Sequence, residues 1–282
     1  MQLRIGERLF EGPGPFLMGI VNATPDSFVD GGRHTDPAAA AEHALSLAAQ
    51  GADLIDLGGE STRPGAAPVP AEEELRRVLP VVERLRARRF PLPISVDTAK
   101  PEVARAALDA GADLVNDVQG LSAPGMAELV ASRKVPAVLM HMRGTPADMA
   151  SRAVYEDVVA EVAAELEAAL SRAERAGVRR GQVILDPGLG FAKNAEHNLA
   201  ILAGLPRLRA LGCPLLLGPS RKSFIGKVTG APVEARLPGT LAAVTACVLA
   251  GAEFVRVHDV AAARQAALVA AAIRDIGLPG QA

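Results

Sequence analysis

Three polar side chains, Asp97, Asn116 and Asp186, stand at or near the ends of short hydrophobic runs, in L-P-I-S-V-D, L-V-N-D-V and V-I-L-D-P-G. Carboxylates that lie away from water need hydrogen-bond donors or cations as partners. We expect only Lys222 to lie near them, so acceptors outnumber donors. This excess predicts a bound flat heterocycle whose ring N–H and amino groups supply the missing donors.

The segment V-R-V-H-D, residues 255–259, predicts an anion site. Side chains alternate between the two faces of a strand, so Arg256 and His258 share one face and Val257 takes the other. Two potentially cationic groups on the inner face indicate a bound anion. The alternative is an arginine that pairs with a carboxylate at the rim.

The segment S-R-K-S, residues 220–223, reads as the first turn of a helix. Amide N–H groups at a helix start favour a carboxylate or a phosphate, and the Ser220 hydroxyl adds a donor. Lys222 is one of only five lysines among 30 basic residues, which favours an ammonium aimed at ligand acceptors. The alternatives are a serine that only caps a helix and a lysine on the surface.

Aromatic residues are scarce, with seven Phe, one Tyr and no Trp. Phe28, Phe191 and Phe224 fall on predicted loops, where a ring can stack on a ligand or cover a site. Phe224 could equally belong to the core of a short helix. Phe28 lies in the loop N-A-T-P-D-S-F-V-D-G-G, residues 22–32, and we expect residues 23–32 to be mobile until substrates bind.

The elements that must position these residues alternate along the chain. Eight hydrophobic runs predict strands at 16–21, 53–58, 92–97, 114–118, 136–142, 183–188, 214–218 and 254–259. Helical patterns lie between them, and the junction G-A-D/E recurs at Gly51, Gly111 and Gly251. The pattern predicts one domain over residues 1–282, an α/β fold of the (β/α)8 TIM-barrel type, with an N-terminal hairpin at 3–10 that closes the bottom. A doubly wound open sheet is disfavoured because no G-x-G-x-x-G follows the first run.

Composition narrows the class of protein. A net charge of −2 argues against a nucleic-acid binder, and the absence of a signal-peptide pattern or a membrane-length apolar run predicts a cytoplasmic protein. Cys213 and Cys247 lack metal-site spacing and are expected to be buried free thiols. No His or Cys cluster or carboxylate pair has ligand spacing, so we expect no tight metal site, but one Mg²⁺ held mainly by substrate phosphates and an oxygen such as that of Asn22 is compatible with the sequence.

The motifs around these residues resemble those of the dihydropteroate synthase family over essentially the whole chain. They are I-V-N-A-T-P-D-S-F-V-D-G-G, G-G-E-S-T-R-P-G-A, S-V-D-T-A-K, V-N-D-V, D-P-G-L-G-F, G-P-S-R-K-S-F-I and R-V-H-D. The resemblance implies an enzyme of folate biosynthesis that condenses 6-hydroxymethyl-7,8-dihydropterin diphosphate with 4-aminobenzoate. It also implies that pyrophosphate leaves by dissociative substitution at the pterin methylene. The resemblance also implies Mg²⁺ as cofactor, a homodimer and inhibition by sulfonamides.

The resemblance implies three adjoining subsites. The pterin pocket comprises Asp97, Asn116, Asp186 and Lys222, with Met140 and Phe191 as apolar walls and Arg256 beside the ring. The diphosphate and Mg²⁺ site comprises Asn22, Arg63, Arg256 and His258, with Thr62 adjacent. The 4-aminobenzoate site comprises Phe28, Pro64, Ser220 and Lys222, and Asp26 is expected to stabilise the cation or order the loop.

Two other functions stay open at this point. A methyltetrahydrofolate:corrinoid methyltransferase would share the pterin pocket but would not need R-x-H or S-T-R-P. A non-catalytic pterin-binding paralogue would be expected to have lost Asn22, Arg63 or Lys222, and all three are present.

Overall fold

The structure, a computed structural model, describes residues 1–24, 36–63 and 65–277. Eight parallel strands form the central sheet. In chain order they are β3 (Phe16–Asn22), β4 (Leu54–Gly58), β5 (Ile94–Asp97), β6 (Leu114–Asp117), β7 (Ala137–Met140), β8 (Val183–Asp186), β9 (Leu216–Leu217) and β10 (Phe254–Val257), numbered after the two hairpin strands β1 (Gln2–Ile5) and β2 (Arg8–Glu11).

The strands lie around the sheet in the order β8, β7, β6, β5, β4, β3, β10 and β9. A parallel bridge between Leu185 and Leu215 joins β8 to the chain just before β9 and so brings the two edges together. Every strand has parallel neighbours and a helical connection, which is the arrangement of a TIM barrel. The predicted fold is therefore confirmed.

Helices follow the strands around the outside. They are α1 (Pro37–Ala49), α2 (Ala71–Ala87), α3 (Pro101–Asp109), α4 (Met126–Arg133), α5 (Val158–Arg175), α6 (Ala195–Ala203), α7 (Leu205–Arg209), α8 (Ser223–Thr229), α9 (Leu237–Leu249) and α10 (Val260–Ile276), with short 3₁₀ turns at Met149–Arg152, Arg180–Gln182 and Val233–Ala235. Across the described ranges, none of these helices is long and apolar enough to cross a membrane. Both cysteines are buried free thiols, as predicted.

The antiparallel hairpin of β1 and β2 lies at the amino end of the barrel. Alternation along the two strands puts Leu3, Ile5 and Phe10 on one buried face. These side chains pack against inward-facing residues of the barrel strands, among them Met18 and Phe254. The hairpin thus closes the bottom of the barrel, as expected from the sequence.

The recurring G-A-D/E junction has a structural role at this amino end. Asp53, Asp113 and Glu253 each use a carboxylate oxygen to accept a backbone N–H of another strand or strand entry. The donors are Leu17 at 2.8 Å, Ile94 at 2.8 Å and Leu215 at 2.9 Å. Arginines pair with all three acids. The repeat therefore belongs to the stabilising end of the barrel and leaves the opposite end for chemistry.

Several strands end earlier than the hydrophobic runs predicted. β8 stops at Asp186, because Pro187 has no N–H for the ladder and the Asp186 carboxylate turns to accept the Gly188 N–H at 2.7 Å. β7 stops at Met140 and β10 at Val257. The polar residues that follow these strands thus lie on loops at the carboxyl end.

Candidate active site

A cavity of about 430 Å³ opens at the carboxyl end of the barrel. A smaller recess of about 30 Å³ lies beside it and shares several of its lining residues. The shared residues are Thr62, Asp97, Phe191, Gly218, Lys222 and Arg256. One continuous site therefore has a narrow inner part and a wide outer part.

The narrow recess collects all the residues expected to hold a pterin. They are Asp97, Asn116, Met140, Asp186, Phe191, Lys222 and Arg256. They come from β5, β6, β7, β8 and β10 and from the loops after β8 and β9, so strand ends that are distant along the chain meet around one space. The structure thus places this predicted set together.

Arg256 forms ion pairs with two carboxylates, Asp97 in the recess and the fully buried Asp56 beneath it. Its Nε lies 2.6 Å from Oδ2 of Asp56, and its Nη2 lies 2.9 Å from Oδ2 of Asp97. Our expectation that only Lys222 lies near the carboxylates was therefore wrong. Arginine pairing with a carboxylate, which the sequence left as an alternative, occurs here, although Arg256 also lines the cavity.

Asp56 was missed by sequence reasoning. Its side chain is fully buried within β4, and its Oδ2 also accepts a hydrogen bond from Nδ2 of Asn116 at 2.9 Å. One carboxylate oxygen thus holds Arg256 and Asn116, which lie on β10 and β6. The signal was available in D-L-I-D-L-G, because a charged residue in the middle of a buried strand must have a partner inside the barrel.

Burial changes the protonation of the acidic groups. It raises the pKa of Asp186 to about 6, although the Gly188 N–H opposes the shift. Burial, followed by the nearby Asp56 charge, also raises the pKa of Asp97 well above its usual range. Both carboxyls therefore gain from a ligand that donates hydrogen bonds to their charged forms.

Lys222 places its Nζ 4.2 Å from the centre of the Phe191 ring, within the range of a cation–π contact. Burial, with a contribution from the Arg256 charge, lowers its pKa to about 8. Asp186 and Asp97 act in the opposite direction and favour the ammonium. Lys222 is thus a half-buried donor that faces the same recess as the carboxylates.

The segment 220–223 differs from the prediction. α8 begins at Ser223, so residues 220–222 precede the helix, and Ser220 does not cap it. Arg221 adopts a left-handed conformation with a φ of 54°, and its N–H donates to Oγ1 of Thr240 at 2.9 Å. The turn is held by α9 and leaves Ser220 on the wall of the cavity.

Ser220 and His258 form a pair in that wall. The Ser220 hydroxyl accepts the His258 backbone N–H at 3.2 Å and lies 2.9 Å from Nδ1 of the imidazole. Burial, together with the Arg256 charge, lowers the pKa of His258 to about 3, so the ring is neutral. The expectation of a second cation beside Arg256 is corrected accordingly. We assign the hydroxyl proton to Nδ1, which leaves the ring N–H on Nε2.

The outer cavity is lined by Asn22 at the end of β3 and by Thr62 and Arg63 after β4. These three residues are brought together as the sequence predicted. Asp26, Phe28 and Pro64 lie outside the described residues, as does most of the loop that was expected to be mobile. Phe224 is buried in α8 with Ile225 and Ala243, so it belongs to the core.

Glu60 was also missed, although it lines the cavity. Its Oε1 accepts the Val69 N–H at 2.7 Å, and its Oε2 lies 2.6 Å from Nζ of Lys100. Lys100 contacts Oε2 of the fully buried Glu74 at 2.6 Å. Glu60 therefore connects the two ends of the loop that carries Thr62. Lys100 contacts both Glu60 and Glu74 and so links this loop to α2.

Metal binding by side chains alone finds little support. Within ranges 1–24, 36–63 and 65–277, no three His, Cys, Asp or Glu residues form a group that could hold a metal ion. The cavity does offer the half-buried amide oxygen of Asn22. This donor set fits an ion that keeps most of its ligands from a bound phosphate, as Mg²⁺ commonly does.

Comparison with known proteins identifies the family. The chain matches the pterin binding enzyme family over residues 18–258. It is 46% identical to the dihydropteroate synthase of Synechocystis over 274 residues, which cover 96% of this chain and 94% of the relative. The alignment thus covers nearly the whole length of both proteins.

Solved structures agree in fold along the full chain. The dihydropteroate synthase of Xanthomonas albilineans with 4-aminobenzoic acid is 51% identical, has a TM-score of 0.90 and covers 99% of both chains. The Yersinia pestis dihydropteroate synthase in a sulfonamide drug complex is 42% identical, with a TM-score of 0.94, and covers 98% of this chain and 100% of its own. The chain belongs to the dihydropteroate synthase family of pterin binding enzymes.

Proposed function

We propose that this enzyme, acting through one domain, joins 6-hydroxymethyl-7,8-dihydropterin diphosphate to 4-aminobenzoate and releases pyrophosphate. The observation that carries the proposal is the narrow recess, in which Asp97, Asn116 and Asp186 supply acceptors and Lys222 supplies a donor. A pterin edge has ring N–H and amino donors beside carbonyl and ring-nitrogen acceptors. Its pattern therefore complements the recess.

The two carboxyls contribute through their raised pKa values. A ring N–H and amino group that donate to Asp186 or Asp97 stabilise the carboxylate form, which burial alone disfavours. Lys222 donates to ring acceptors from the opposite side. Met140 and Phe191 cover the flat faces, and Asp56 keeps Asn116 in place.

The bond between the pterin methylene carbon and the diphosphate oxygen breaks first, and its electron pair leaves with the diphosphate. Arg63, Arg256 and the Nε2–H of His258 line the wider cavity, where they can meet this developing negative charge. The electron-rich pterin tolerates the positive charge left on the methylene carbon. We propose that Asp26 assists there.

The amine nitrogen of 4-aminobenzoate then donates its lone pair to the methylene carbon and forms the new C–N bond. The resulting arylammonium loses a proton to water, so no dedicated base is needed. We place 4-aminobenzoate between the Lys222 stem, Ser220, Phe28 and Pro64. A sulfonamide of similar shape would compete for that space.

Two further parts of the proposal concern Mg²⁺ and assembly. Asn22 would hold a Mg²⁺ that accompanies the diphosphate, and the bound ion supplies charge neutralisation of the leaving group. α10 exposes Leu268, Val269 and Ile273, whose side chains are 41–61% accessible. These apolar residues support a homodimer through the outer helices, which light scattering of the purified protein tests.

The function is tested by incubating purified protein with the pterin diphosphate, Mg²⁺ and 4-aminobenzoate. Mass spectrometry should detect 7,8-dihydropteroate together with one equivalent of pyrophosphate. A folded protein that binds the pterin but forms no product would be a non-catalytic paralogue and would refute the proposal. Methyl transfer from methyltetrahydrofolate to a corrinoid would support the other alternative.

A further inference from the structure

A cluster of polar and charged groups, with Lys193 and His141 at its buried end, lies behind the Phe191 wall of the recess. Nζ of Lys193 donates to the Phe191 carbonyl oxygen at 3.0 Å and lies 2.9 Å from Nδ1 of His141. Nε2 of His141 lies 3.0 Å from Oε2 of Glu165 on α5. Lys193 is only 8% exposed, and neither it nor His141 lines the cavity.

The donors and acceptors from Lys193 through His141 to Glu165 can be assigned. Burial lowers the pKa of Lys193 to about 7, and the amino group has N–H protons to donate in either form. The Glu165 carboxylate can only accept, so the neutral imidazole keeps its proton on Nε2 and accepts from Lys193 at Nδ1. The imidazole proton is then on Nε2 and donates to the Glu165 carboxylate. Burial lowers the pKa of His141, in agreement with a neutral ring. Arg143 also donates from Nε to Glu165, at 3.0 Å, and so fixes the far end of the chain of contacts.

The cluster supports a turn that has an unusual backbone conformation. Ala192 has a φ of 46°, which is uncommon for a residue with a Cβ. The Gly190 N–H on the other side of Phe191 donates to Oδ1 of Asn198 at 2.6 Å. The Phe191 carbonyl is held by Lys193 between these two points. The ring of Phe191 consequently has a defined position under Nζ of Lys222.

The same cluster is connected to the floor of the recess. His141 directly follows Met140, and its backbone N–H donates to the Asp186 carbonyl oxygen at 2.8 Å. Met140 and Asp186 both line the recess. Lys193 thus connects the turn that carries Phe191 to the ends of β7 and β8. These strand ends carry Met140, which forms the opposite wall of the recess, and the carboxylate of Asp186.

We propose that Lys193 is a positioning residue for pterin binding, which holds Phe191 against the recess and uses His141 as its acceptor. The inference rests on the proposed function, because it takes the recess to be the pterin site. Lys193 does not touch the substrate. It acts through the Phe191 carbonyl and through the backbone that His141 shares with Met140.

Lys193→Met tests the proposal. We expect the dissociation constant of the pterin diphosphate, measured calorimetrically without 4-aminobenzoate, to rise about tenfold, the scale of one lost hydrogen bond. The KM for 4-aminobenzoate should stay within about twofold of wild type. Lys227→Met at an exposed lysine of α8 is the matched control and should change neither value.

Two substitutions of His141 separate positioning from a general loss of structure. His141→Asn can keep an acceptor near the place of Nδ1, whereas His141→Gln keeps a polar group near Nε2 and loses the acceptor. We expect pterin affinity to be largely retained in the first variant and reduced in the second, with similar thermal midpoints. This pair remains informative if Lys193→Met fails to fold.

Two results would overturn the inference. One is an unchanged pterin dissociation constant in folded Lys193→Met. The other is an equal loss of affinity for both substrates that parallels a fall in thermal midpoint, because that pattern indicates a purely structural lysine. Wild-type protein that binds the pterin diphosphate yet makes no dihydropteroate would refute the proposed function while leaving the Lys193 measurement intact.

Discussion

Nε of Arg256 lies 2.6 Å from Oδ2 of Asp56, although 200 residues separate them along the chain. Arg256 belongs to β10 and Asp56 to β4, and β3 lies between these strands in the sheet. The pair therefore crosses the interior of the barrel. Since Asp56 also holds Asn116, its carboxylate sets the positions of two groups that line the recess.

Asp56→Asn should weaken both the fold and the site. The amide keeps the shape of the side chain but removes the charge, so the contacts to Arg256 and Asn116 lose strength. We expect the free energy of unfolding to fall by about 1.5–3 kcal/mol and kcat/KM for the pterin diphosphate to fall at least about tenfold. Denaturant titration and steady-state kinetics measure the two effects. Glu42→Gln, at an exposed pair with Arg88, should change neither one.

Pterin affinity should rise with pH as Asp186 ionises. Burial raises the folded-state pKa of Asp186 to about 6, so below this pH the group is largely protonated and accepts ring donors poorly. Calorimetry with a pterin diphosphate from pH 5 to pH 8 should show tighter binding as pH rises through about 6. Asp186→Asn should bind weakly with a much flatter profile. A wild-type affinity that falls over the same interval would contradict the assignment.

Lys100→Met should destabilise the protein, and more so at high pH. Glu74 is fully buried, and removal of Lys100 leaves its carboxyl without a cationic partner, at a cost of about 3 kcal/mol. Burial already raises the pKa of Glu74, and the loss of Lys100 raises it further. A folded-state pKa above the unfolded one lowers stability as pH rises between the two. Denaturant unfolding at pH 5 and pH 8 should show the larger loss at pH 8.

His258→Asn should lower kcat by about tenfold to a hundredfold, because the shorter amide can keep the contact to Ser220 but no longer reaches the position of Nε2, so one hydrogen-bond donor to the leaving diphosphate is lost. The shape of the pH–rate profile should not change between pH 5 and pH 8, since the pKa of His258 is about 3. Stopped-assay measurement of pyrophosphate gives both quantities. Disappearance of an acidic limb near pH 6 in the variant would show that His258 works as a cation after all.

Local sequence patterns were enough for the barrel. Each strand is a short apolar run between helical segments, and this alternation survives even where a strand such as β9 forms only two residues of regular ladder. The exact ends could not be predicted, because they depend on how a side chain such as Asp186 turns back on its own backbone. The start of α8 was misplaced for a similar reason, since Arg221 takes a left-handed conformation supported by Thr240.

The composition of the candidate site was also accessible from the sequence, because polar residues at strand ends must meet at one end of a barrel. The charge states and hydrogen-bond partners of these residues could not be predicted from the sequence. Arg256 pairs with Asp56 over the intervening strand β3, and His258 is neutral because of burial that only the folded chain creates. Glu60 and Lys193 were overlooked because each acts on the backbone of a loop and leaves no periodic signal.

The hairpin of β1 and β2 has a kinetic consequence. Because Leu3, Ile5 and Phe10 close the amino end of the barrel, the recess is closed at that end and opens only into the wider cavity. In the proposed assignment, the pterin takes the blind end of the recess and 4-aminobenzoate takes its opening. This arrangement predicts an ordered mechanism, in which the pterin diphosphate binds first and 4-aminobenzoate that binds early obstructs its entry.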